Sequence, residues 1–132
     1  MPATILLCDP SRDQREMYAE SLRHAGFDVV ECADGVAAFE VALQARLAVV
    51  VTEVGKVGDG CGWTLIDRLR ANAITARIPI LALVSREIIH DQGRALDAGA
   101  DRCFVIPLAP ADFVAAVSEL VNTGSHVPSG GR

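Results

Sequence analysis

The sequence has little positive charge and a single lysine, Lys56. Its 12 Lys and Arg residues stand against 17 Asp and Glu residues, which gives a formal net charge of -5. The arginines are scattered along the chain, whereas a nucleic-acid-binding face needs basic residues clustered together. We therefore expect no nucleic acid among the partners of this chain.

The sequence also lacks long apolar runs and closely spaced cysteines. No run reaches the roughly 18 to 20 residues that a membrane-spanning helix needs, and the first residues show no secretory signal pattern. The cysteines match no metal-ligand spacing, and those in apolar runs are expected to pack as small hydrophobic residues. These absences predict a cytoplasmic protein with no membrane contact and no need for disulfides or metal ions. The four cysteines are Cys8, Cys32, Cys61 and Cys103.

The 132 residues are 51% hydrophobic, which is enough for one domain with its own core. Short apolar runs alternate five times with longer segments of helical spacing. Continuous apolar runs are typical of strands that are covered on both faces. The pattern predicts one (βα)5 domain over residues 1–121 with a parallel sheet, followed by a flexible tail over residues 122–132. The runs cover residues 5–8, 29–30, 47–51, 80–84 and 103–106.

Several helix boundaries carry local signals. Ser11 followed by Gln14 predicts a capping box at the first helix, with Met17 and Leu22 on its buried side. Asp34 is expected to cap the second helix. The later helices are predicted at residues 63–71, 87–98 and 110–121. In an open parallel sheet, ligands bind at the carboxyl ends of the strands, so we expect functional residues at positions 8–9, 53, 84–85 and 106–107.

Five short stretches, in this order and spacing, resemble the receiver domain of bacterial two-component response regulators. The resemblance covers about residues 3 to 121. It implies a flavodoxin-like three-layer α/β sandwich, with a five-stranded parallel sheet in the order 2-1-3-4-5. The stretches are 5–11 (ILLCDPS), 33–38 (ADGVAA), 78–83 (IPILAL), 95–101 (ALDAGAD) and 104–107 (FVIP).

The resemblance also implies a site. Receivers accept a phosphoryl group on an aspartate that ends the third strand, while a pair of acidic residues after the first strand helps to hold Mg²⁺. A Thr or Ser ending the fourth strand and a Lys before a proline contact the phosphoryl oxygens. The corresponding positions here are Glu53 for the phosphoacceptor, Cys8 and Asp9 for the acidic pair, Val84 (with Ser85 next to it) for Thr or Ser, Ile106 for Lys and Cys103 for the switch aromatic.

These replacements weaken the chemistry of phosphoryl transfer. Cysteine is a poor ligand for Mg²⁺. Glu53 is one methylene longer than aspartate, and errors of about 1 Å in position cost about 10²-fold in rate. Ile106 removes the positive charge that stabilises the transferring group. The sequence therefore predicts an atypical receiver (pseudo-receiver) that is not an enzyme and needs no cofactor or metal ion. We expect it to work in two-component signalling independently of phosphorylation, through protein–protein contacts.

The family's usual output face consists of the fourth helix, the fifth strand and the fifth helix. It is mixed and moderately apolar here, which suits a protein partner or a homodimer. The resemblance also implies a cis peptide bond between Ile106 and Pro107. The expected output face contains Ile89, His90, Arg94, Asp101, Arg102, Cys103 and Phe113.

Alternatives remain at each of these positions. Asp9 and Glu53 could still hold Mg²⁺ and support weak phosphoryl acceptance, or the crevice could bind a small ligand, as in other flavodoxin-like proteins. Glu53 is either a tolerated acid in an inactive pocket or a mimic of a phosphorylated aspartate. Cys8 and Cys61, both predicted at the carboxyl edge of the sheet, are either inert or a redox pair.

Overall fold

The structure is a computed structural model, and it describes residues 2–55, 62–85, 92–124 and 126. In this part of the chain five strands alternate with five helices. The elements are β1 Thr4–Cys8, α1 Arg12–His24, β2 Asp28–Cys32, α2 Gly35–Gln44, β3 Val49–Val54, α3 Trp63–Ala71, β4 Ile80–Ser85, α4 Gln92–Ala98, β5 Arg102–Ile106 and α5 Pro110–Thr123.

The strands form one parallel sheet in the order β2-β1-β3-β4-β5. This confirms the predicted flavodoxin-like fold. The strand order reverses at β1, whose neighbours are β2 and β3. The crevice of such a sheet lies outside the carboxyl ends of the strands at this point. The residues at the carboxyl ends of β1 and β3 are therefore the candidate site residues.

Two hydrophobic cores cover the two faces of the sheet. Side chains along a strand alternate between the faces, so Leu7 packs with α1 and α5 whereas Leu6 and Cys8 pack with α2, α3 and α4. On the face covered by α1 and α5, the ring of Tyr18 in α1 lies 4.4 Å, centroid to centroid, from the ring of Phe113 in α5. Both faces are buried, which explains why the strands are apolar without alternation.

The predicted N-caps Ser11 and Asp34 are confirmed, whereas the reciprocal half of the capping box does not form, because the Ser11 N–H donates to Asp9 Oδ1. The backbone N–H of Gln14 donates to Ser11 Oγ at 3.3 Å, and that of Ala37 donates to Asp34 Oδ1 at 2.8 Å. One predicted core residue is wrong: Met17 is 43% exposed, because α1 turns its neighbour Tyr18 toward the sheet instead. At the other end of the chain, α5 continues to Thr123, so the first two residues of the predicted tail are helical.

Arg70 of α3 joins three segments at the amino-terminal edge of β4 and β5. Its guanidinium donates to the carbonyl oxygens of Gly99 at 2.9 Å, Ala76 at 3.0 Å and Ile78 at 2.6 Å. A fourth bond, of 3.0 Å, reaches Asp101 Oδ2. The side chain of Arg70 is only 13% exposed. These bonds use the fork of donors that arginine offers and lysine lacks.

No helix in the described part of the chain is long and apolar enough to cross a membrane.

Candidate functional site

The carboxylates of Asp9 and Glu53 lie on neighbouring strands at the carboxyl edge of the sheet. The β1–β3 register pairs Cys8 with Thr52, so Asp9 and Glu53 follow on adjacent strands. The negative charge of Asp9 disfavours ionisation of Glu53. The structure thus brings together two of the positions that the sequence singled out.

Asp9 is fixed by the first turn of α1. Its carboxylate is 1% exposed and accepts hydrogen bonds from the Ser11 backbone N–H at 2.8 Å and the Gln14 side-chain amide at 2.5 Å. Arg15 donates to the carbonyl oxygen of Asp9 at 2.8 Å. Burial raises the pKa of Asp9, and the two hydrogen bonds and the charge of Arg15 oppose this rise. The sequence pointed to Gln14 only as part of a cap, whereas its side chain holds Asp9.

Glu53 lies in a half-buried position at the end of β3. Burial, with a further contribution from the charge of Asp9, raises the pKa of Glu53 from its ordinary 4.5 to about 7. Its Oε1 atom lies over the backbone of Gly55, where a Cβ atom would come within 2.7 Å of it. Among the described residues, no basic side chain forms an ion pair with Glu53. The carboxyl group is therefore poised between its neutral and charged forms near neutral pH.

This perturbed pKa predicts that Glu53 destabilises the fold at high pH. The folded state favours the protonated form, so the stability contributed by Glu53 is complete below pH 4.5 and is lost as the pH rises through 7. We expect E53Q to raise the free energy of unfolding at pH 8 by about 1–2 kcal/mol, a reduced figure because the group keeps part of its hydration. At pH 4.5 the two proteins should be equally stable.

Urea unfolding of wild type and E53Q at several pH values measures this difference. The matched control is E40Q, which removes a carboxylate from an exposed position of α2. A gain that is the same at pH 4.5 and pH 8 would contradict the electrostatic explanation.

Two of the remaining site positions, Val84 and Ile106, are apolar and lie on opposite faces of the sheet. Val84 is fully buried and packs in the core under α2, α3 and α4, together with Val54. Ser85 follows Val84 as the last residue of β4, and the β4–β5 register pairs it with Ile106. Ile106 is half-buried beside the core under α1 and α5 and carries no charge. The peptide bond between Ile106 and Pro107 is cis, as predicted.

Cys8 differs from its expected state. It is fully buried and belongs to a disulfide, whereas Cys32 and Cys103 are free thiols. The sequence left Cys8 as either inert or part of a redox pair, and the disulfide rules out an inert free thiol. The pairing with Cys61 that the sequence raised involves a residue outside the described part of the chain. A disulfide sulfur offers no negative charge, so Cys8 cannot replace the missing acid of the pair.

The family model of the response regulator receiver domain matches residues 5–118 of this sequence. The chain belongs to this family. Its predicted resemblance to receiver domains is thereby confirmed.

Individual receiver proteins agree with this result. The sequence is 30% identical over 130 residues to the DNA-binding dual master transcriptional regulator RpaA of Synechocystis, covering 97% of this chain and 53% of that protein. A putative response regulator from Chloroflexus aurantiacus has a TM-score of 0.85 at 28% identity, covering 92% of this chain and 99% of the other. The chemotaxis response regulator CheY4 of Vibrio cholerae gives 0.81 at 25%, covering 91% and 99%. The chain spans about half the length of the curated relatives it matches.

The receiver's expected output face is partly occupied by internal contacts. Phe113 is fully buried against Tyr18, so its inclusion in a surface is wrong. The carboxylate of Asp101 is bound by Arg70. Ile89 and His90 lie outside the described residues. What remains of the expected face is Arg94, Arg102 and Cys103.

Each of these three residues has a defined neighbour. The guanidinium of Arg94 stacks 4.2 Å above the ring of Trp63. Arg102 pairs with Glu119 of α5 at 2.7 Å. Cys103 is half-buried, and burial raises the pKa of its thiol. A small thiol at this position cannot swing between two positions as a large aromatic ring does.

Proposed function

We propose that this receiver works in two-component signalling without accepting a phosphoryl group on its own chain. The observation that carries the proposal is the state of Glu53, an acid with a raised pKa and no basic partner among the described residues. Phosphoryl transfer needs an ionised acceptor and fixed positive charge around the transferring oxygens. Glu53 is only partly ionised near neutral pH, and Ile106 supplies no positive charge.

The oxygen donors also suit Mg²⁺ poorly. This ion needs near-octahedral coordination by oxygen atoms, including carboxylates. Both carboxylate oxygens of Asp9 already accept hydrogen bonds, and Cys8 contributes no charge. Within the described residues there is no group of three or more His, Cys, Asp and Glu side chains that could hold a metal ion. We infer that the domain functions without a resident cation.

The proposed output is contact with another protein, and the domain is not itself an enzyme. Arg102 offers a partner surface: its guanidinium lies 5.1 Å from the centroid of the Phe104 ring and pairs with exposed Glu119. A cleft of about 310 Å³ lies beside these residues, between β5 and α5. The mixture of aromatic, arginine and acidic groups is typical of protein interfaces. The partner is either a signalling protein or a second copy of this chain.

Phosphoryl acceptance can be tested with acetyl phosphate and Mg²⁺. We expect intact-protein mass spectrometry of the wild type to show no increase by one phosphoryl group, with or without Mg²⁺. Labelling that depends on Mg²⁺ and maps to Glu53 or Asp9 would refute the proposal and favour the alternative, a receiver with weak phosphoryl acceptance.

A further inference from the structure

The chain turns sharply where α5 ends. Gly124 has a φ of +81°, a value that favours glycine, and its N–H donates to the Leu120 carbonyl oxygen at 3.1 Å. Two residues later, His126 lies against the loop between α3 and β4 rather than beyond the end of α5. The turn therefore leads the chain back onto the domain.

His126 is held there by its backbone and by its side chain. The backbone N–H donates to the Arg77 carbonyl oxygen at 2.7 Å, and Nδ1 lies 2.6 Å from Asp101 Oδ1. The imidazole is only 13% exposed. Arg77 and Gly124 also line a groove of about 270 Å³ at this edge of the sheet. The sequence predicted a flexible tail over residues 122–132, and the burial of His126 differs from that expectation.

Asp101 connects His126 to the sheet. Its second carboxylate oxygen accepts from the Ile80 N–H at 2.8 Å and from Arg70 at 3.0 Å, and its own N–H donates to the Ile80 carbonyl oxygen at 2.8 Å. Asp101 immediately precedes β5. One carboxylate therefore joins α3, the starts of β4 and β5, and the chain that follows α5.

We propose that His126 anchors the segment that follows α5 to Asp101, so that the domain sets the direction in which its chain leaves the fold. The anchor lies at the edge of the sheet opposite Asp9 and Glu53, and the proposal does not depend on whether the domain accepts phosphate. Because Asp101 precedes β5, a displacement of β5 would also move the anchored segment. The position of His126 is then coupled to the position of β5 through Asp101.

The proposal specifies which imidazole nitrogen carries the proton. The Asp101 carboxylate, paired with Arg70, is a hydrogen-bond acceptor, so Nδ1 of His126 must be the donor. Neutral His126 is therefore expected as the Nδ1–H tautomer, whereas a histidine in a free tail has no partner to select that form. The tautomer reports the hydrogen bond to Asp101 directly, since a ring that only packed against the domain would not select the Nδ1–H form.

Nuclear magnetic resonance of the full ¹⁵N-labelled chain tests the anchor. We expect the heteronuclear NOE of the His126 amide to match that of α5, and the ring nitrogen signals to report the Nδ1–H tautomer. H126A should lower the NOE of residue 126 to the range of a free terminus. H126N, which keeps a side-chain N–H donor, should restore most of the order, and H24A at an exposed position of α1 should change neither signal.

Three results of these measurements would contradict the proposed anchor. A free-terminus NOE for His126 in the wild type, or a predominant Nε2–H tautomer, would overturn the proposal. So would an H126A variant whose residue 126 amide remains as ordered as that of the wild type. Circular dichroism of each variant confirms that the fold itself is intact, since the anchor lies outside both hydrophobic cores.

Discussion

Replacement of Arg70 by alanine is expected to lower the free energy of unfolding by about 2–3 kcal/mol, less than the roughly 3–5 kcal/mol for a fully buried ion pair, because Arg70 and Asp101 are part-buried. The substitution removes the hydrogen bonds that Arg70 donates to three carbonyl oxygens and to the Asp101 carboxylate. It also opens space beside Gly99, where a Cβ would lie only 2.7 Å from Arg70 Cγ. Urea unfolding followed by circular dichroism measures the loss.

Two further substitutions separate charge from geometry at this position. R70K keeps the charge but has one nitrogen in place of the guanidinium fork, so it should recover less than half of the lost stability. R68A is the matched control on the same helix: Arg68 is exposed and stacks 4.1 Å from the Phe39 ring, a contact worth about 0.5–1 kcal/mol. If R70A and R68A cost the same, the bonds of Arg70 do not stabilise the fold as proposed.

The second large effect is a gain of phosphoryl acceptance in the double variant E53D/I106K. Aspartate shortens the acceptor by one methylene, and lysine before the cis proline supplies the missing positive charge. One preorganised electrostatic donor of this kind changes rates by about 10²–10³-fold, so we expect labelling by acetyl phosphate at least about 10²-fold faster than in the wild type. Time courses by mass spectrometry, with peptide mapping to residue 53, measure the rate.

The single variant I106K controls for added charge, because it retains Glu53 as the acceptor and should stay unlabelled. Adding C8D to the double variant restores the second acid and should make labelling more dependent on Mg²⁺. If E53D/I106K folds but is labelled no faster than the wild type, the identities of residues 53 and 106 do not account for the proposed lack of phosphoryl acceptance.

The architecture was accessible from the sequence because its signals are local. Apolar runs of strand length, helical spacing between them, and the Ser11 and Asp34 caps depend on residues a few positions apart. Five such units suffice to predict a parallel α/β sheet. The chemical identities of Glu53 and Ile106 were equally evident, because a missing charge is visible without coordinates.

The state of the site, in contrast, depended on distant parts of the chain. The pKa of Glu53 rises because packing of the whole sheet buries it next to Asp9, a residue 44 positions earlier by their numbers. The orientation of Phe113 was equally inaccessible, since only its contact with Tyr18 shows that it faces the core. Periodicity alone locates a helix but leaves its rotation uncertain by a residue or two.

The sequence by itself determined which groups this receiver has and lacks: an acceptor position filled by glutamate, no lysine before the proline, and five strands to carry them. Only the tertiary structure decided which of those groups are charged, which are buried and which are hydrogen-bonded. Asp101 illustrates the difference, since it was expected on a partner-binding surface and instead binds Arg70 and His126. Hydrogen bonds between residues 25 or more positions apart arise from chain packing, and no local pattern encodes them.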